Sequence, residues 1–173
     1  MVQVAYLRIS DEETQRLSAM PSLTTNYDSG LLDGTYILPP IRYPDGKTYL
    51  KLGHGDHFEA DVTTIKELNA WYSNGKGNPD AVESLAAFIK TLIPDLKVEE
   101  VTGGCCVTSK TPTKNAPYID EVVPGLFVAA GGCGYAAKSC DEIGRVAAGF
   151  ALQGLWDSKV SKEACKLLYR HQY

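Results

Sequence analysis

Several features are scarce or missing in this sequence, and each absence narrows what the chain can be. No stretch of the 173 residues stays apolar for the roughly 20 positions that a membrane-spanning helix requires. Lysine and arginine number 17 against 21 aspartates and glutamates, a net charge of -4 with both signs interspersed. Without a basic stripe, nucleic acid is not an expected partner. The opening Met1-Val2-Gln3-Val4 has neither a basic region nor a long apolar run, so no export signal is expected. Cysteine is sparse and odd in number: Cys105, Cys106, Cys133, Cys140 and Cys165. They form no Cys-x-x-Cys pair and have no histidine at ligand spacing. They read as small buried hydrophobes of a reducing compartment, the cytoplasm or another intracellular one. His54-Gly55-Asp56-His57 brings two histidines together, but no further ligand has convincing spacing. Loop polarity is therefore the reading there, and no metal is expected. Internal repeats and low-complexity linkers are also missing.

What is present is ordinary for a globular domain. Apolar residues make up 44% and charged residues 22%, and the length allows a sizeable core. Val2–Ile9 partly alternates and reads as a strand. Ser10 and Glu13 form a capping box for a helix to about Met20, where Pro21 ends it. Leu23–Gly30 reads as polar loop. Thr35–Leu38 reads as a strand stopping at Pro39-Pro40, and Thr48–Gly53 as its return after the turn signal Pro44-Asp45-Gly46. Thr63 or Thr64 caps a helix through Trp71. Asn78-Pro79 starts another, whose Val82, Leu85, Ala86, Ile89, Leu92 and Ile93 share a face made for packing on a sheet. Lys97–Ser109 reads as a strand interrupted at Gly103-Gly104, and Ser161–Tyr173 as a short amphipathic helix.

The stretch Cys105–Gly149 organises the rest. The apolar run Leu126–Ala130 ends in Gly131-Gly132-Cys133-Gly134, and the helical pattern Ile143, Val146, Ala147, Phe150 follows. A strand, a glycine turn and a helix place bare backbone N–H groups beside whatever binds there. Closing a strand–helix unit is the simpler use of such a turn. The continuous apolar run reads as a strand covered on both faces, as in a parallel sheet.

Cys106-x-x-x-x-Thr111-Pro112, then Tyr118-Ile119-Asp120, then Phe127-Val128-Ala129-Ala130-Gly131-Gly132-x-Gly134-x-x-x-Lys138 resembles the C-terminal part of sarcosine-oxidase-like flavoproteins, in the D-amino-acid oxidase superfamily. Leu50-Lys51-Leu52-Gly53 resembles the family's substrate-domain Leu-Lys-Ile-Gly. The resemblance implies an α+β fold: an antiparallel or mixed sheet covered by helices, with remnants of a Rossmann-type FAD domain lacking its N-terminal half. It implies a substrate-domain-like region over 1–120, an FAD-domain-like strand, turn and helix over 121–155, and a tail over 156–173.

The implied activity is oxidation of the C–N bond of an amine or amino acid, with electrons passing to FAD and then to O2. Lys51 matches the lysine over the reactive centre of the flavin, where a cation assists oxygen chemistry. Cys106 matches the cysteine bonded covalently to the flavin; alignment on Thr108 instead of Thr111-Pro112 would select Cys105. Gly131, Gly132 and Gly134 match the cofactor-side turn, and Tyr135 and Lys138 the substrate side, with Lys138 on a carboxylate. The chain departs from the family in having Gly53-His54-Gly55 where Gly-Tyr-His is usual, so that the substrate-side histidine is absent or displaced, and Tyr135-Ala136-Ala137 where His-Gly-Phe is usual. No Gly-x-Gly-x-x-Gly is present, so the sequence offers no fingerprint for the ADP half of FAD. These readings lead to the flavin-facing, substrate-binding half of an oxidase, with a second copy or a separate FAD-domain chain as partner. A non-enzymatic small-molecule binding module and a subunit of a split oxidase are the alternatives.

Overall fold

The computed structural model describes residues 1–28, 33–54, 60–113 and 116–169. They divide into two compact units, Met1–Val107 and Thr108–Tyr173. The first is a five-stranded antiparallel sheet with helices on one face. Its strands are β1 (Val2–Ile9), β2 (Leu23–Asp28), β3 (Asp33–Arg42), β4 (Thr48–His54) and β5 (Glu100–Cys106), in the order β2-β3-β4-β1-β5.

Period-2 alternation sorts β1 between two faces. Ala5, Leu7 and Ile9 point into the core, where they meet Ile37, Leu50 and Leu52. Helix α3 (Pro79–Leu92) lays Val82, Leu85, Ala86 and Ile89 on the same core; of the rest of the expected stripe, Leu92 is exposed at the last turn and Ile93, the C-cap, is only partly buried. Each such fully buried aliphatic side chain contributes about 1.5–3 kcal/mol. Asn78 caps α3 by accepting the N–H of Asp80 at 2.9 Å. Helix α2 (Ile65–Asn74) starts at Thr64, with a complete capping box to Glu67.

Helix α1 spans only Asp11–Arg16. Ser10 accepts the Glu13 N–H at 3.2 Å, but Leu17 already ends the helix, short of the expected Met20. Glu13 is 2% exposed, and its carboxylate accepts from Arg16 Nε at 2.8 Å and Nη2 at 2.5 Å. It also accepts the backbone N–H of Lys97 at 3.2 Å, which ties α1 to the segment entering β5.

Three local expectations are corrected. Leu23–Asp28 is a strand, because β3 supplies its partner and Thr25 and Thr35 join hydroxyls at 2.7 Å across the pair. β3 runs through Pro39-Pro40: the prolines sit where the β4 register shifts between Leu38 and Ile41, past the last residue that β2 pairs, so no ladder donor is lost. β5 runs unbroken through Gly103-Gly104, because neighbours occupy the space their β-carbons would need. Lys76 O would lie 1.9 Å from a β-carbon at 103, and Tyr6 Cε2 2.7 Å from one at 104.

The second unit is a hairpin of β6 (Tyr118–Val123) and β7 (Leu126–Ala130) turned at Gly125, with α4 (Cys140–Gln153) against it. Val146 and Phe150 of α4 meet Ile119 and Phe127; the rings of Phe127 and Phe150 are edge-to-face at 5.3 Å. The run 126–130 is therefore an antiparallel hairpin strand, not a strand buried on both faces. Leu126, Ala129 and Ala130 are exposed, and Phe127 and Val128 half-buried. A segment boundary at residue 120 would cut this hairpin; the compact division falls after Val107. The tail forms a single 3-10 turn, Lys162–Cys165, in place of the expected helix, and Asp120 Oδ2 accepts the Leu167 N–H at 3.0 Å. Residues 170–173 of that expected helix lie outside the described residues. No helix among the described residues is long and apolar enough to cross a membrane.

Candidate functional site

The face of the first sheet opposite α3 carries two of the residues singled out in the sequence, Lys51 and Cys106. The register places Lys51 beside Tyr6, Tyr6 beside Thr102, Gly53 beside Val4, and Cys106 beside Val2. Since Val2, Val4 and Tyr6 share one face of β1, Lys51 and Cys106 share it too. Two inter-strand spacings and four residues of rise put their Cα atoms roughly 16 Å apart. Cys105, opposite Gln3, belongs to the other face, where its thiol donates to Trp71 O at 3.4 Å. The two adjacent cysteines that sequence left as alternatives thus point to opposite sides of the sheet.

Tyrosines cover the Lys51 face. A β-carbon at Gly53 would come within 2.2 Å of Tyr36 Cε1, and one at Gly104 within 2.7 Å of Tyr6 Cε2, so both rings lie across glycines. Tyr6, Tyr43 and Tyr49 stand edge-to-face in a triangle with centroids 5.4–6.1 Å apart. The Lys51 ammonium sits 5.8 Å from the Tyr6 ring centroid, within cation–π range. Tyr36 titrates above an ordinary phenol, first because it is buried, then because Cys106, Tyr6 and Tyr43 lie near. Burial, and then Tyr6, raise Tyr43 in the same way. Tyr49 is raised because its hydroxyl donates to Asp45 Oδ2 at 2.8 Å. Cys106 is exposed, and its carbonyl accepts the indole N–H of Trp71 at 2.9 Å.

The glycine turn of the second unit differs from the expected open cradle. Gly131 has φ +75°, and a β-carbon there would lie 2.5 Å from Thr111 Cγ2; one at Gly132 would lie 2.5 Å from Ala136 Cβ. The chain's own side chains therefore fill the space these two glycines free. Gly134, exposed and also at φ +75°, is more open. Cys133 adopts φ +52°, buried, with its thiol donating to Gly131 O at 3.0 Å and accepting the Thr111 N–H at 3.4 Å. A 3-10 turn over Ala136–Lys138 separates the glycines from α4. Tyr135 and Lys138 are both exposed and form a cation–π pair at 5.0 Å.

The cysteines divide unevenly. Cys133 and Cys165 are buried, Cys105 is half-buried, and Cys106 and Cys140 are exposed, so the expectation of mostly buried thiols holds for a minority. Among the described residues no three histidine, cysteine or acidic side chains gather as a metal requires. His57 and the side chain of His54 lie outside the described residues. Sequence reasoning missed Tyr6, Tyr36, Tyr43 and Trp71. The alternation of Val2, Val4, Tyr6 and Arg8 against the core set was the available signal for Tyr6; the others needed the register.

The flavin implied by the resemblance fits the first unit by its ring half. Tyrosine rings, a cation and, about 16 Å from the cation, an exposed thiol on one face offer contacts to an aromatic ring system. For the phosphate half, no open glycine cradle is seen among the described residues, since side chains fill the space over Gly131 and Gly132. A search of curated proteins found no match. The description of the family whose model matches is FAD dependent oxidoreductase, and the match covers residues 2–149. That span takes in both the Lys51 face and the glycine turn, and by it the chain belongs to the FAD dependent oxidoreductase family.

Proposed function

We propose that the Lys51–Cys106 face is the flavin-facing wall of an FAD-dependent amine or amino-acid oxidase. The observation that carries this reading is the register that sets Lys51 and Cys106 on one tyrosine-covered face. Bound there, the flavin would supply the electron acceptor for C–N oxidation and pass the electrons to O2. Cys106 would hold the ring, since its thiol is exposed and a thiolate is a competent nucleophile. Lys51, steadied by Tyr6, keeps a fixed positive charge near the centre of the face, where it stabilises developing negative charge without reorganisation. Tyr6 and Tyr36, lying across Gly104 and Gly53, give ring surface and keep water off the sheet backbone. In the second unit, Lys138 beside Tyr135 would take the substrate carboxylate, with Gly134 as the open part of the turn. The hairpin strand, turn and α4 would be the FAD-domain-like part. Groups that hold the phosphates would come from outside this sequence, from a second copy or a separate FAD-domain chain.

The test is a visible spectrum of the chain incubated with excess FAD and then acid-precipitated. Flavin absorbance in the pellet, lost in Cys106→Ala and kept in Cys105→Ala, is the expected result. Titrated alone, FAD should bind with a dissociation constant above about 1 μM, equivalent to roughly 8 kcal/mol. A colourless pellet from the unmodified chain would overturn the covalent role. The filled space over Gly131 and Gly132 favours one second reading, a family-derived binding module without redox chemistry. Peroxide production with a panel of secondary amines and amino acids separates the two.

A further inference from the structure

One edge of the first sheet is without a strand partner among the described residues. β5 is a terminal strand of its sheet, with β1 on one side and, among the described residues, no strand on the other. Natural edge strands are blunted by charge, proline or a bulge, because a bare edge recruits other strands. β2, at the opposite end, has a register shift. The Val101-Thr102-Gly103 stretch of β5 has no charge and no proline, and β5 pairs with β1 without a shift. At its far end Trp71 covers the edge by bonding Cys106 O. The stretch nearer Glu100 opens instead into a cleft of about 680 Å³ beneath the flank of α3.

The walls of the cleft define what it takes. On the helix side Pro79, Val82, Ala86 and Ala87 make an apolar strip, kept shallow by the alanines; on the strand side are Val101 and Gly103. Lys76 and Lys90 stand in the lining, one beyond each end of the strip, with Glu83 between them in sequence. Glu99 and Glu100, at the entry to β5, are engaged by Arg8 at 3.1 and 3.2 Å, so Glu83 is the acid of the lining and the two lysines are its cations. From residue 79 to residue 90 a helix rises roughly 16 Å, the length of about five extended residues.

We propose that this cleft binds an extended segment of another protein, about five residues long, which adds to the free edge of β5 as a sixth strand. Backbone pairing to β5 gives the affinity, and side chains at alternate positions enter the strip under α3. Those side chains are small or medium aliphatic ones, because Ala86 and Ala87 leave room for them. Acidic residues flank the segment and meet Lys76 and Lys90.

The experiment titrates the isotope-labelled full chain with the capped peptide Asp-Val-Thr-Val-Glu and follows backbone amide signals. Saturable shifts confined to residues 100–103 and the 79–90 flank are expected. Ala87→Trp, at an exposed position that leaves the core untouched, fills the cleft and should weaken binding at least tenfold. Lys76→Glu with Lys90→Glu should weaken it about three- to tenfold, as two exposed ion pairs would, and should favour a Lys-Val-Thr-Val-Lys peptide instead. Val101→Lys, an edge charge, should abolish the shifts while the thermal melt stays cooperative. Shifts that ignore Ala87→Trp, or none at millimolar peptide, overturn the proposal. So does a concentration-dependent dimer, seen by sedimentation, that Ala87→Trp and Val101→Lys dissolve; the occupant would then be a second copy.

Discussion

The indole N–H of Trp71 donates to the carbonyl oxygen of Cys106 at 2.9 Å, and the carbonyl of Trp71 accepts the thiol of Cys105 at 3.4 Å. One residue of α2 therefore grips both cysteines at the end of β5, and the exposed Cys106 thiol stands on a strand end that is held. Replacing Trp71 by Phe keeps the ring and removes the donor. It should lower stability by about 0.5–1 kcal/mol, the net worth of one partly solvated hydrogen bond, and raise the alkylation rate of Cys106 more than that of Cys140. Denaturant midpoints and mass-resolved alkylation check both. An unchanged Cys106 rate would leave Trp71 with a packing role only.

Two glycines should respond oppositely to alanine. At Gly103 the new β-carbon would meet Lys76 O at 1.9 Å and Val82 Cγ2 at 2.8 Å. A backbone oxygen cannot step aside like a side-chain tip, so Gly103→Ala should cost about 2–4 kcal/mol. Gly144, inside α4, has nothing within 4 Å of a β-carbon. Gly144→Ala should stabilise by up to about 1 kcal/mol, the propensity difference in a helix interior. Thermal or urea melts of the two variants against the parent chain give the comparison.

Glu13 makes stability depend on pH. Its carboxyl titrates below the ordinary value of 4.5, chiefly because Arg16 bonds it; burial opposes this, and the Lys97 N–H adds to it. A depressed native pKa means that the unfolded chain binds the proton more readily. The contribution is therefore complete above pH 4.5 and lost as pH falls through the native value. Urea midpoints measured from about pH 7 down to about pH 3 should fall for the parent chain. Glu13→Gln should be less stable at neutral pH by about 1–3 kcal/mol, because the paired cation and the Lys97 N–H lose their charged acceptor. Its profile should be flatter on the acid side. Parallel profiles would show that Glu13 is not the linked group.

Local signals in this chain were legible because their causes are local. Ser10, the Thr63-Thr64 pair and Asn78 each announce a helix start, because a cap bonds within one turn, and three helices begin there, with Thr64 the cap of the second. Val2–Ile9 alternates because one face is buried, and it is a strand over that span. The α3 stripe identified its core face. Matches to family motifs brought Lys51 and Cys106 forward together, though nothing in their spacing says that they share a face.

Whatever depended on a distant partner was not legible. Leu23–Asp28 looks like polar loop until β3 pairs with it, and Pro39-Pro40 looks like a stop until the register shift accommodates it. Gly103-Gly104 looks like a break until Lys76 and Tyr6 occupy the space that side chains would have taken. By itself the sequence determined the helix starts, the hairpin at Pro44-Asp45-Gly46 and most of the core face of α3, since hydrogen bonds within a turn and burial periodicity are written in neighbouring residues. Only the tertiary structure decided that Lys51 and Cys106 share a face under Tyr6 and Tyr36, that Cys105 does not, and that β5 is left as an open edge. Those follow from strand order and register, and a one-residue slip in either pairing would have reversed every face.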